Sequence, residues 1–146
     1  SDQDLERLES VVRDRVSSAD AAVASRPPEA RPSPECRSKW CPVRHICDEY
    51  WDSEFSVPGS EPEFCDLELT GIVESGPRTW FMSSVHFPEP LLVRAKIPAQ
   101  VNAIGESSGP GVRVLNVWLA ESEEGQVTVN LTSNSEVWHL ASSPSP

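Results

Sequence analysis

Leu91-Leu92-Val93-Arg94-Ala95-Lys96-Ile97-Pro98-Ala99-Gln100-Val101-Asn102-Ala103-Ile104 changes its period halfway along. Up to Ile97 the apolar residues alternate: Leu91, Val93, Ala95 and Ile97 face inward and Arg94 and Lys96 outward, the pattern of a half-buried strand. From Pro98 to Ile104 the spacing becomes that of a short helical insert opened by proline. Two further strands precede this stretch. Cys65, Leu67, Leu69, Gly71 and Val73 fall on one face, Glu74-Ser75-Gly76-Pro77 turns the chain, and Thr79 to Val85 returns. Two more follow it. Val112, Val114, Asn116 and Trp118 alternate with Arg113, Leu115, Val117 and Leu119, so this strand is expected to be buried on both faces for part of its length. Glu123-Glu124-Gly125 then leads into Val127, Val129 and Leu131, facing the core. The order β-β-β-α-β-β predicts a five-stranded OB-like Greek-key barrel, with an SH3-like or other five-stranded barrel as the competing topology.

The fold class is therefore mainly β, with an N-terminal amphipathic helix and a Cys-rich loop ahead of the barrel. Leu5, Leu8, Val12, Val16, Ala19 and Val23 recur at helical steps over residues 2–25, Asp2 and Asp4 suit the positive end, and Arg26-Pro27-Pro28 stops the helix. Its apolar stripe needs a cover, either a larger domain or the later barrel. The expected organisation is a terminal helix over 1–26, a Pro-rich segment and Cys-cluster loop over 27–52, and a linker over 53–63 holding Pro58, Gly59 and Pro62. The barrel takes 64–140, and 141–146 is the tail.

Net charge is −11, with acids exceeding bases in both halves of the chain. Nucleic-acid affinity rests largely on Lys and Arg neutralising phosphates, so tight non-specific binding is not expected of this chain alone. No apolar run long enough to span a bilayer occurs, and the amino terminus lacks the basic-then-apolar pattern of a secretory signal. A cytoplasmic location is expected, and there the four cysteines read as thiols. In a secreted protein they would instead pair as disulfides, and Asn130-Leu131-Thr132 would be a glycosylation sequon.

Three of the four cysteines crowd into Cys36-Arg37-Ser38-Lys39-Trp40-Cys41-Pro42-Val43-Arg44-His45-Ile46-Cys47. Thiolates are soft ligands, and Cys36, Cys41 and Cys47 suit an iron-sulfur cluster or zinc, one ligand short of a closed site. His45, one helical turn past Cys41, is the local candidate to complete a zinc tetrad. Cys65 keeps phase with Leu67 and Leu69 and reads as a core thiol. Pro42 to Trp51 reads as a short helix.

Glu35-Cys36, Trp40 to Cys47 and Tyr50-Trp51, preceded by Pro27-Pro28-Glu29-Ala30-Arg31-Pro32, resemble the C-terminal end of RecB-family nucleases of the PD-(D/E)XK superfamily. The gap from Cys36 to Cys41 is longer than that family's usual one. The resemblance implies that Cys36, Cys41 and Cys47 join one cysteine upstream of the nuclease core to hold a 4Fe-4S cluster. It also implies that the helix over 1–26 closes a truncated nuclease domain, and that the parent is a Mg-dependent exonuclease in DNA repair or recombination, working with a helicase partner. Some of these RecB-like nucleases carry a similar barrel after the cysteine motif, and Asn134 to Trp138 looks like the end of that region. No catalytic residue is expected in this chain: the superfamily's Glu-x-Lys does not occur, nor does a phosphate-cradling glycine loop.

OB barrels hold single strands through aromatic platforms on the second and third strands, helped by cations. Arg78, Trp80, Phe81, Arg94 and Lys96 are the candidates, with one of the two aromatics filling the barrel and the other facing out. With the acidic balance counted, contact with single-stranded DNA is expected to be weak, and docking of a protein partner is the competing use of the barrel.

Overall fold

The computed structural model describes residues 1–24, 32–38, 41–59, 64–107 and 109–141. Most of the proline-rich approach, residues 60–63 of the expected linker and 142–146 of the tail lie outside them. The chain forms two compact units, Ser1–Pro32 and Ser33–Pro146.

The first unit is the helix α1 (Asp2–Ala24), with Asp2 and Asp4 in its first turn. Ser1 and Asp4 form an N-terminal box, the amino group and hydroxyl of Ser1 both donating to the Asp4 carboxylate. Leu5, Leu8, Val12 and Val16, the stripe expected from the spacing, are exposed. No helix among the described residues is long and apolar enough to cross a membrane.

The second unit begins with four short turns of helix: α2 (Glu35–Ser38), a 3-10 turn at Arg44–Ile46, α3 (Asp48–Trp51) and a second 3-10 turn at Glu54–Ser56. The single helix expected over Pro42 to Trp51 is broken because Cys47 is extended, at φ −89° and ψ 97°. The barrel strands follow: β1 (Phe64–Gly76), β2 (Thr79–Ser83) and β3 (Leu91–Arg94), then helix α4 (Pro98–Gly105), then β4 (Gly111–Glu121) and β5 (Val127–Asn130). A last short strand, β6 (Glu136–His139), lies antiparallel to β4.

The strand order is β1-β2-β3-β5-β4, and β4 returns to β1, closing the barrel. All barrel pairings are antiparallel except β3 with β5. Closure, the parallel β3–β5 pair and a helix between β3 and β4 are the OB-like arrangement expected from the sequence.

One long strand serves two neighbours because β1 bends at Gly71, whose φ of +64° only glycine adopts without strain. Residues before it pair with β4 and those after it mainly with β2. The irregularity shifts the phase, so Ile72 packs against the core and Val73, expected inward, is exposed. Asn116 does the same for β4 at φ +55°, sending Val117 into the core and Trp118 outward. At the other end of that strand, a Cβ on Gly111 would run into the Leu69 carbonyl, so the two strands cross there without a side chain between them. Leu67, Leu69, Met82, Val93, Ile104, Val112, Val114 and Val129 are fully buried in the interior. Gln100 on α4 fastens the end of the barrel by donating to the carbonyls of Thr132 and Ser135.

Candidate metal loop and nucleic-acid interface

Cys36 lies on α2, where the Ser33 amide donates to its sulfur at 3.4 Å. The chain then folds back so that the Cys41 amide reaches the Cys36 carbonyl at 3.0 Å. Cys47 precedes α3, its carbonyl receiving the amides of Tyr50 and Trp51. Cys36, Cys41 and Cys47 are free thiols. Cys36, Cys41 and Cys47 are half-buried, whereas Cys65 sits in the barrel core, as its alternation predicts.

What places this segment is a buried polar cluster on the outer side of β1 and β4. Asp66 lies between the core residues Cys65 and Leu67, on the opposite face of the strand. Beside it the β1–β4 register slips, so that Leu115 and Asn116 together oppose Asp66. One Asp66 oxygen accepts the Asn116 amide at 2.9 Å, closing the bulge. The other accepts Arg44 Nε and the Tyr50 hydroxyl, each at 2.8 Å. Arg44 also donates through Nη2 to the Asn116 side-chain oxygen at 2.9 Å, and its own carbonyl accepts Trp51 Nε1 at 2.8 Å. Arg44 and Asp66 are 3% and 1% exposed, so the ion pair is cut off from water. Removing either partner would strand a buried charge.

A second, wetter set of contacts borders the first. Arg113 on β4 donates to Glu68, to the His45 carbonyl and to Asp48, and its guanidinium lies 5.0 Å from the centre of the Trp51 ring. The His45 ring stacks on Trp138 of β6 at 3.8 Å between centroids. The cysteine segment is thus fixed to β1, β4 and β6, and these contacts cross the stretch expected to be a linker.

Protonation follows from this packing. Burial raises the Cys47 thiol above its ordinary value, and the neighbouring Glu49 carboxylate and Cys36 push the same way, against a lowering backbone hydrogen bond. Burial also pushes the Tyr50 phenol far above its ordinary value, helped by the Asp66 charge it donates to.

The donor chemistry suits a thiophilic metal, but the shape is incomplete. Among the described residues, no three His, Cys, Asp or Glu side chains converge as a metal-binding group. His45, the local candidate for a zinc tetrad, is instead engaged by Trp138. The segment supplies three thiol donors without closing a site by itself.

The second candidate surface is the outer face of β2 and β3. Trp80, 4% exposed, fills the barrel and is withdrawn from stacking on a base, while Phe81 faces outward at 38%. Phe81 pairs with Leu92, and Thr79 pairs with Arg94, so an exposed aromatic and an exposed cation occupy neighbouring rows of one face. Arg78, in the β1–β2 turn at φ +58°, donates to the Lys96 carbonyl at 3.3 Å, bringing Arg78 and Lys96 together beside Arg94. Four of the five sequence candidates therefore share a region, and Trp80 belongs to the core.

The sequence reading assigned no site role to Arg44, Tyr50, Asp66 or Asn116. No local signal sets Asp66 apart, because it alternates with Cys65, Leu67 and Leu69 as Glu68 does, and alternation reads such a residue as solvent-facing. Comparison of the chain with protein-family models, curated proteins and solved structures finds no match.

Proposed function

We propose that this chain is the C-terminal portion of a RecB-like DNA-processing nuclease, in which a cysteine segment and an OB-like barrel form one accessory unit. The observation that carries the reading is that three free, half-buried thiols stand on a segment anchored to the barrel through the buried Arg44–Asp66 pair. In this proposal Cys36, Cys41 and Cys47 are three ligands of an iron-sulfur cluster, and a fourth thiolate comes from the parent's nuclease domain. The exposed stripe of α1 is consistent with a helix covered by that domain. Cutting is assigned to the parent, since this chain has no Glu-x-Lys to hold Mg²⁺.

On the barrel, Phe81, Arg94, Arg78 and Lys96 make a small single-strand contact. Stacking on one aromatic is worth about 1–3 kcal/mol, and three cations give a salt slope of about 2 for a single strand. The chain alone should bind an oligonucleotide near the weak non-specific range, about 10⁻⁴ M at physiological salt.

Anaerobic reconstitution with iron and sulfide, followed by metal analysis and visible absorption, tests the reading. Partial cluster formation, lost on Cys41→Ser, is the expected result. One tightly held zinc per chain, released by His45→Ala, would replace it with a zinc-stapled interaction module without a link to DNA cleavage.

A further inference from the structure

Beyond its cationic end, the outer face of β2 and β3 continues into an open cleft of about 700 Å³ between the loop before β3 and the β4–β5 turn. Its apolar lining comes from Phe81, Phe87, Leu91 and Val127, with Pro88 and Pro90 on the rim. Three carboxylates, Glu89, Glu121 and Glu124, line it as well, and no Lys, Arg or His does. The rims are tied together: Gln126 Nε2 donates to the Pro90 carbonyl at 3.2 Å, and the two prolines stiffen the loop.

We propose that this cleft is a docking site for an arginine-bearing peptide segment of a partner protein. Apolar side chains and aromatic faces would receive the stems and guanidinium planes of arginines, while the carboxylates take their charge. The same carboxylates disfavour a nucleic-acid strand, whose phosphates they would face across a short distance. An open trough with pre-set walls suits an extended peptide, because little ordering is left to offset binding. The face is thus divided, with cations at the Arg94 end of β3 and carboxylates beyond its Leu91 end, and Phe81 between them.

The test is fluorescence anisotropy with a labelled arginine–glycine peptide of about nine residues, long enough for extended recognition. Saturable binding that weakens as salt rises is expected. Glu121→Gln with Glu124→Gln, both at exposed positions, should weaken it roughly tenfold, the scale of two partly screened ion pairs. Glu74→Gln with Glu106→Gln removes the same charge away from the cleft and should leave binding unchanged. Equal loss in both double variants, or no saturable binding, would overturn the assignment. So would displacement of the peptide by oligothymidine whose own binding falls in the cleft variant. Arg94→Ala separates the two readings: loss of oligonucleotide with retained peptide binding supports the cleft as its own site, even where the nuclease reading fails.

Discussion

The outer side of β1 and β4 around Asp66 is roofed by the cysteine segment, whereas the outer side of β2 and β3 around Phe81 is open. Both walls belong to one barrel and share its apolar interior. They differ in what the outward residues meet: at Asp66 a guanidinium, a phenol and a backbone amide fill every acceptor direction, and at Phe81 the ring is left partly to solvent. A closed wall of this kind positions something. An open one is available for contact.

The strongest way to break the difference is to uncover Arg44. Asp66→Ala should cost about 3–5 kcal/mol in urea denaturation, because a buried guanidinium loses its partner. Replacing both, Arg44→Met with Asp66→Leu, should restore much of that loss, since no charge is then left buried. A double variant no more stable than Asp66→Ala would show that the roof does not depend on the pair.

The bulge beneath the roof is the next point of attack. Asn116→Ala should cost about 1–2 kcal/mol for the left-handed backbone alone, plus the lost hydrogen bond to Arg44. Asn116→Gly keeps the backbone freedom and loses only the side chain, so its midpoint should lie between Asn116→Ala and the parent. Equal midpoints for the two variants would remove the backbone from the account.

Titration sharpens the comparison from the other direction. The Tyr50 pKa is higher in the folded than in the unfolded protein, so its contribution is intact below about pH 10 and stability falls as pH rises beyond it. The fall has a limiting slope of about 1.4 kcal/mol per pH unit from this one group. Tyr50 is the only tyrosine, so tyrosinate absorbance reports it directly and should appear with unfolding rather than before it. Tyr50→Phe should flatten the alkaline limb.

At the open wall, effects on stability should be small. Phe81→Ala is expected to move stability by under about 1 kcal/mol, as for an exposed site, while reducing oligonucleotide binding by about tenfold. Trp80→Ala, inside the same strand, should cost about 3–5 kcal/mol by leaving a cavity.

The barrel was legible because its signals are local. Alternation in Leu91 to Ile97 and the proline at Pro98 give a strand followed by a helix; the structure has the strand at Leu91–Arg94, ending before Ala95, and the helix at Pro98–Gly105. The phase was not legible past Gly71 and Asn116, since alternation assumes an unbroken pleat and each residue breaks it with a positive φ. The buried cluster around Asp66 was missed for a different reason. Arg44 and Asp66 are 22 residues apart and Arg44 and Asn116 are 72 apart, so no sequence window joins them. Alternation tells which residues leave the core, and it is silent on whether water or another segment awaits them. The exposed stripe of α1 was read correctly as a helix face, because helical periodicity needs no knowledge of a partner.

Closure of β1 against β4 has a consequence for the order of folding. Phe64 must find Trp118 and Thr70 must find Gly111 before the barrel exists, and β3 must meet β5 in parallel across the intervening α4 and β4. Distant pairings of this kind put a chain among the millisecond-to-second folders, because loop closure comes ahead of the contacts that reward it. Asp66 and Asn116 come from two strands 50 residues apart in sequence that must pair before the barrel is closed, so Arg44 has no complete partner until they meet. The cysteines should therefore reach their final positions late, and Arg44→Met should accelerate unfolding while leaving the refolding rate of the barrel nearly unchanged.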